Sequence, residues 1–159
     1  IIKTIKNGGK IIFSGNGGSF ADAQHLTAEF VSRLRKNRSP IPALALGTNS
    51  SNLSAIANDY GYENTFSREL EALGTSKDLF IPISTSGNSK NIINAIKFAK
   101  LNSIKTYGLT GMSGGEMIKI CNAIQVPSNT TEKIQESHIM IGHILCYLTE
   151  NKIFKNKID

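Results

Sequence analysis

The chain has 159 residues, a formal net charge of +6 at pH 7, 40% apolar residues and 19% charged ones. That length is one domain, able to bury on the order of 70% of the unfolded chain's surface, and the balance excludes a disordered tail or a fibre. No apolar run approaches the roughly 18 residues of a membrane span, and the lysines are scattered rather than interleaved with aromatics as a nucleic-acid groove requires.

The chain opens at Ile1, and residues 1–7 read as the end of a helix that begins upstream. Residues 10–14 (Lys, Ile, Ile, Phe, Ser) are a buried strand. Gly15, Asn16, Gly17, Gly18 and Ser19 follow as a loop that needs backbone freedom, with Ser19 placed to cap a helix. That helix runs over 20–35, with Ala21, Leu26, Phe30, Val31 and Leu34 on one apolar face. After Pro40 and Pro42, residues 43–46 form a second strand. Helices over 51–57 and 65–73 are joined through Asn58, Asp59, Tyr60 and Gly61. A third strand over 78–83 runs into the polar loop Ser84, Thr85, Ser86, Gly87, Asn88, Ser89, and a helix over 90–101 follows. Residues 104–109 are strand four, 114–120 a short helix, 123–126 strand five, and a helix over 131–151 comes last. Lys152, Lys155 and Lys157 crowd its end, where they suit the negative pole of a helix. Alternating strands and helices predict an α/β fold: one doubly wound, parallel, five-stranded sheet with helices on both faces and ligands beyond the carboxyl ends of the strands.

Several side chains carry chemistry. In the loop 84–89, four hydroxyls surround a glycine ahead of a helix N-terminus, where free N–H groups favour an anion; phosphate is the natural guest. The loop 15–19 lacks a dinucleotide or Walker pattern and reads equally as a tight turn or a small-molecule contact through Asn16. His25 and Glu29 stand one helical turn apart, which suits half a metal site, an acid/base pair or a surface hydrogen bond. Gln135, His138 and His143 are a polar set in an apolar helix. Gln135 and His143 are about 12 Å apart along it, so either a second chain supplies one of them or one stands outside the ligand set of a shared ion. Arg68 is expected to pair with Glu71, and Asp59 serves as a cap or a sugar-hydroxyl contact. Cys121 and Cys146 sit apart in apolar surroundings and are read as free thiols of a reducing cytoplasm.

Taken together, the loop 15–19, the run Asp22 to Glu29 with His25 inside it, the segment Asn58 to Gly61, the loop 84–89 and the run Gln135 to His143 resemble the sugar isomerase (SIS) domain, and more closely the phosphoheptose isomerases. The resemblance covers the whole chain and implies a single SIS domain of flavodoxin-like topology over 1–159, with its N-terminal helix truncated. It implies conversion of sedoheptulose 7-phosphate to D-glycero-D-manno-heptose 7-phosphate through an enediolate, in the cytoplasm, for bacterial surface polysaccharide. It implies a homotetramer with one zinc ion per subunit, held by His25, Glu29, Gln135 and His143, with Glu29 and His143 as acid/base residues. The substrate would meet Asn16, Gly17, Gly18, Ser19, Glu29, Asn58, Asp59, Ser84, Thr85, Ser86, Ser89 and Gln135. Glu132 stands where the family pattern has Asp. Neither a nucleic acid nor a membrane is an expected partner. Three rivals remain at this point: a non-catalytic SIS module that binds a replication initiator, a phosphosugar sensor, and an isomerase of another sugar phosphate.

Overall fold

The computed structural model describes residues 1–154. A short helix α1 (Ile2–Lys6) leads into β1 (Ile11–Ser14), α2 (Gly18–Val31) and β2 (Ala43–Ala45). Helix α3 (Ser50–Tyr60), a 3-10 turn (Tyr62–Asn64) and α4 (Thr65–Leu73) precede β3 (Leu79–Ser84) and α5 (Lys90–Leu101). The chain continues through β4 (Lys105–Thr110), α6 (Met117–Ile120), β5 (Asn122–Gln125) and the long α7 (Thr131–Ile153).

The five strands are all parallel, in the order β2-β1-β3-β4-β5. Phe13 of β1 stands opposite Ala45 on one side and Ile81 on the other, so β1 is an interior strand beside β3, the middle one. Their side chains alternate between two cores, as a pleated strand demands. Ile11, Phe13, Leu79, Ile81 and Ile83 pack against Ala23, Leu26 and Phe30 of α2 and Cys146 of α7. Ile12 and Phe80 point the other way, against Phe66 and Leu70 of α4 and Ile92, Ala95, Ile96 and Ala99 of α5. Being buried on both faces, β1 and β3 read as continuous apolar runs. The chain leaves β1 towards β2 and returns to β3 on β1's other side. The switch point therefore lies between the loops that follow β1 and β3.

Some predicted boundaries move for identifiable reasons. Helix α2 begins at Gly18, because Gly17 takes φ 56 as its cap residue; Ser19 is buried inside the first turn instead of capping it. The same helix stops at Val31 instead of 35, because the Glu150 carboxylate accepts the backbone N–H groups of Leu34, Arg35 and Lys36. Ala21 is exposed and Val31 is 45% exposed, while Ala23 takes the predicted place of Ala21 in the core. Asn58 and Asp59 belong to α3, which is capped by the Asn49 side chain and ends only at Gly61. Arg68 stacks on the Tyr60 ring at 3.7 Å, so its guanidinium turns to α3 and not to Glu71. Lys152 lies in the last turn of α7, whereas Lys155 and Lys157 fall outside the described residues. No helix among the described residues is long and apolar enough to cross a membrane.

Candidate active site

Helices α2 and α7 lie side by side over the sheet, in close contact at two glycines. A side chain at Gly142 would collide with Leu26, and one at Gly18 would collide with the Gln135 amide. This proximity brings His25 and Glu29 of α2 against His143 of α7. The two imidazole Nε2 atoms are 2.9 Å apart, and His25 Nε2 is 3.4 Å from Glu29 Oε1. Ligand atoms of the three side chains lie within 4.8 Å of one another.

That donor set fits a divalent cation. Zinc bound by imidazole nitrogen and carboxylate oxygen at about 2.0–2.2 Å brings neighbouring donors to roughly 3.3 Å of one another, close to the spacings here. Two nitrogen lone pairs and a carboxylate converging on one point repel one another unless a proton or a cation lies between them. Asp22 stands one turn before His25; its Oδ2 is buried with no partner, and burial raises its pKa against the opposing pull of His25. Glu29 and His143 are partly buried, while the His25 side chain is half exposed. Gln135 does not join the three in this chain. Its amide rests against Gly18, two turns up α7 from His143.

The serine loop lies beyond β3, across the switch point. Ser84 and Ser89 share a hydrogen bond of 3.1 Å between hydroxyls, and Ser86 Oγ accepts the N–H of Asn88. Ser89 is the cap residue of α5, yet its side chain makes no capping hydrogen bond. Of the first N–H groups of α5, that of Ile92 donates to Asn91 Oδ1 at 3.0 Å, and those of Lys90 and Asn91 face the loop without a partner inside the helix. A polar hollow of about 230 Å³ opens beside Thr85 and Ser86, walled by Ser113, Ser128, Asn129 and Thr131. Sequence reasoning missed this far wall, because its residues lie in loops and at the start of α7, in no recognisable motif.

Asn16 is tied to the serine loop's helix. Its amide exchanges two hydrogen bonds of 2.9 Å with Asn91, and its Oδ1 also accepts the Tyr62 hydroxyl at 2.9 Å. Asn91 is 3% exposed and stands in the first turn of α5. The pair joins the two loops of the switch point. Neither Asn91 nor Tyr62 was singled out from the sequence, though an asparagine amid the apolar face of α5 was the available signal. Asn58 and Asp59 are exposed and hydrogen-bond each other at 2.8 Å. His138 is fully buried, with Nε2 3.2 Å from the Thr110 carbonyl, and burial lowers its pKa; it is a core residue.

Comparisons with known proteins identify the family. The SIS domain model matches residues 1–111. The chain is 56% identical over 157 residues to a phosphoheptose isomerase of Aneurinibacillus thermoaerophilus, covering 98% of this chain and 79% of that protein. It is 54% identical over 155 residues to phosphoheptose isomerase 2 of Campylobacter jejuni, covering 97% and 77%. The solved phosphoheptose isomerase of Francisella tularensis superposes with a TM-score of 0.91 at 36% identity, covering 94% of this chain and 81% of that one. The structure of GmhA from Neisseria gonorrhoeae gives 0.89 at 40% identity, covering 94% and 80%. On this likeness over nearly its whole length, the chain belongs to the phosphoheptose isomerase family of SIS-domain proteins.

Proposed function

We propose that the chain is an aldose–ketose isomerase that converts sedoheptulose 7-phosphate to D-glycero-D-manno-heptose 7-phosphate for bacterial surface polysaccharide. The observation that carries the reading is the convergence of His25, Glu29 and His143 on one point, in a fold whose loops at the switch point offer an anion cradle. The phosphate sits on Ser84, Thr85, Ser86 and Ser89 and the free N–H groups of α5. Gly17, Gly18 and Ser19 line the sugar, with Asn58 and Asp59 at the rim. Asn16 has both ends of its amide engaged, so it serves the sugar through its backbone.

Isomerisation moves a proton between C1 and C2 of the sugar through an enediolate. In this reading Glu29 exchanges the proton at one of these carbons and His143 at the other, and the meeting of their side chains beside His25 supports it. His25, Glu29 and His143 would hold a zinc ion, with Gln135 of a second subunit as the fourth proposed ligand, and zinc when bound would supply polarisation of the substrate carbonyl. A homotetramer is supported by Met140, Ile144 and Leu148, which form a stripe at four-residue spacing on α7 and are 56%, 49% and 55% exposed.

The test is turnover of sedoheptulose 7-phosphate in deuterium oxide, followed by NMR. Product carrying deuterium at C2 is expected, because the transferred proton passes through groups that exchange with solvent. A product without deuterium, or no product from folded protein, would contradict the enediolate route.

A further inference from the structure

Arg38 and Glu150 form an ion pair at 2.8 Å with both side chains wholly buried. Such a pair is costly to desolvate and is often replaceable by apolar groups without loss of stability, so what it holds in place decides its value. The guanidinium bridges two helices, α2 and α7. Nε donates to Glu150 Oε1 at 2.8 Å; Nη2 donates to the carbonyl of Glu29 at 2.8 Å; Nη1 donates to the carbonyl of Phe30 at 2.8 Å. Glu29 and Phe30 lie in the last turn of α2, where carbonyls have no partner inside the helix and a positive charge is favoured. The Cys146 thiol approaches the same Glu29 carbonyl at 3.6 Å. On α7, Cys146 and Glu150 stand three and seven residues beyond His143 and so share its face.

We infer that Arg38 is a positioning residue: anchored on Glu150, its planar fork fixes the backbone of Glu29 relative to α7 and so sets the spacing of Glu29 and His143 around a divalent cation. The inference rests on the reading of His25, Glu29 and His143 as a metal centre. It requires an arginine, because a lysine ammonium keeps the charge opposite Glu150 but cannot also span the carbonyls of Glu29 and Phe30.

The experiment is zinc affinity by chelator competition in the whole chain, comparing wild type with Arg38→Lys, Glu150→Gln and Asp78→Asn. Asp78→Asn breaks the part-buried pair with Lys10 at the amino end of β3, so it reports loss of an ion pair away from the metal. With all four folded by circular dichroism, Arg38→Lys and Glu150→Gln are expected to bind zinc about 10–100-fold more weakly, the usual effect of removing support behind a ligand, while Asp78→Asn binds as wild type does. Turnover should follow, with kcat falling and the KM for the sugar phosphate unchanged. Wild-type zinc affinity in folded Arg38→Lys would overturn the inference, as would an equal loss in Asp78→Asn. Wild type that binds no zinc would overturn the metal centre and the inference with it. If Arg38→Lys does not fold, Cys146→Ala is the second probe: a smaller loss of zinc affinity supports the clamp, and unchanged affinity overturns it.

Discussion

A carboxylate that ligates a cation is a weaker base, so Glu29 faces two demands that conflict. His143 stands in the same cluster, so as a proposed ligand and acid it meets the same conflict, and the two proposed roles are separated by substitution. Replacing Glu29 with Gln, or His143 with Ala, should therefore lower turnover by about 10²–10⁴-fold. Neither side chain is fully buried, so the thermal midpoint should stay near that of wild type; retained turnover in either variant would refute the acid/base assignment. Asn91 makes a different kind of contribution. Asn91→Ala leaves the Asn16 amide short of its two hydrogen bonds and should cost about 1–3 kcal/mol of stability. It should also raise KM for the sugar phosphate, because the two ligand loops lose their link. A thermal midpoint and a KM both equal to those of wild type would show that the link is dispensable.

At the scale of elements, two ion pairs set the acid limit of the fold. Burial alone would raise the pKa of Glu150, but the N–H of Leu34, the Arg38 guanidinium and the N–H of Arg35 together hold it below the usual range. Asp78 follows the same pattern: burial works against it, and the bonds from Lys10 and Thr75 prevail. A carboxylate with a lowered folded-state pKa stabilises the fold fully above its unfolded value, about 3.9 for Asp and 4.3 for Glu, and the contribution is lost as pH falls through the folded value. The midpoint of thermal unfolding should therefore drop between about pH 5 and pH 3, and the drop should be shallower in Asp78→Asn and in Glu150→Gln. Equal slopes in all three proteins would contradict this.

The same elements show what the sequence could reveal. The strands were legible because β1 and β3 are unbroken apolar runs that end in polar loops. His25 and Glu29 were legible as a pair by their spacing alone, and the meeting with His143 followed only from a family resemblance, since 114 residues separate Glu29 from it. The end of α2 was not legible, because Glu150 on α7 redirects the backbone there. Asn58 and Asp59 read in sequence as a connection between two helices; the Asn49 cap starts α3 and nothing halts it before Gly61. Asn91 interrupts an apolar helix face, which is a sequence signal, whereas Arg38 looks like an ordinary surface residue in sequence and only the packing of α2 against α7 buries it.

For the whole molecule, the proposed assembly bears directly on the proposed ligand set. Gln135 rests against Gly18 rather than beside His143, and the exposed stripe of Met140, Ile144 and Leu148 lies on the same helix. If assembly completes the site, replacing all three by Ser should yield a smaller species in analytical ultracentrifugation and lower turnover together. A full-size assembly, or full activity in the smaller species, would separate the stripe from function. The central claim is tested most directly by converting sedoheptulose 7-phosphate to the aldoheptose 7-phosphate with the metal removed by chelator and zinc then restored. The account predicts turnover that disappears with chelator and returns with zinc. No turnover in a folded, zinc-loaded assembly would contradict it.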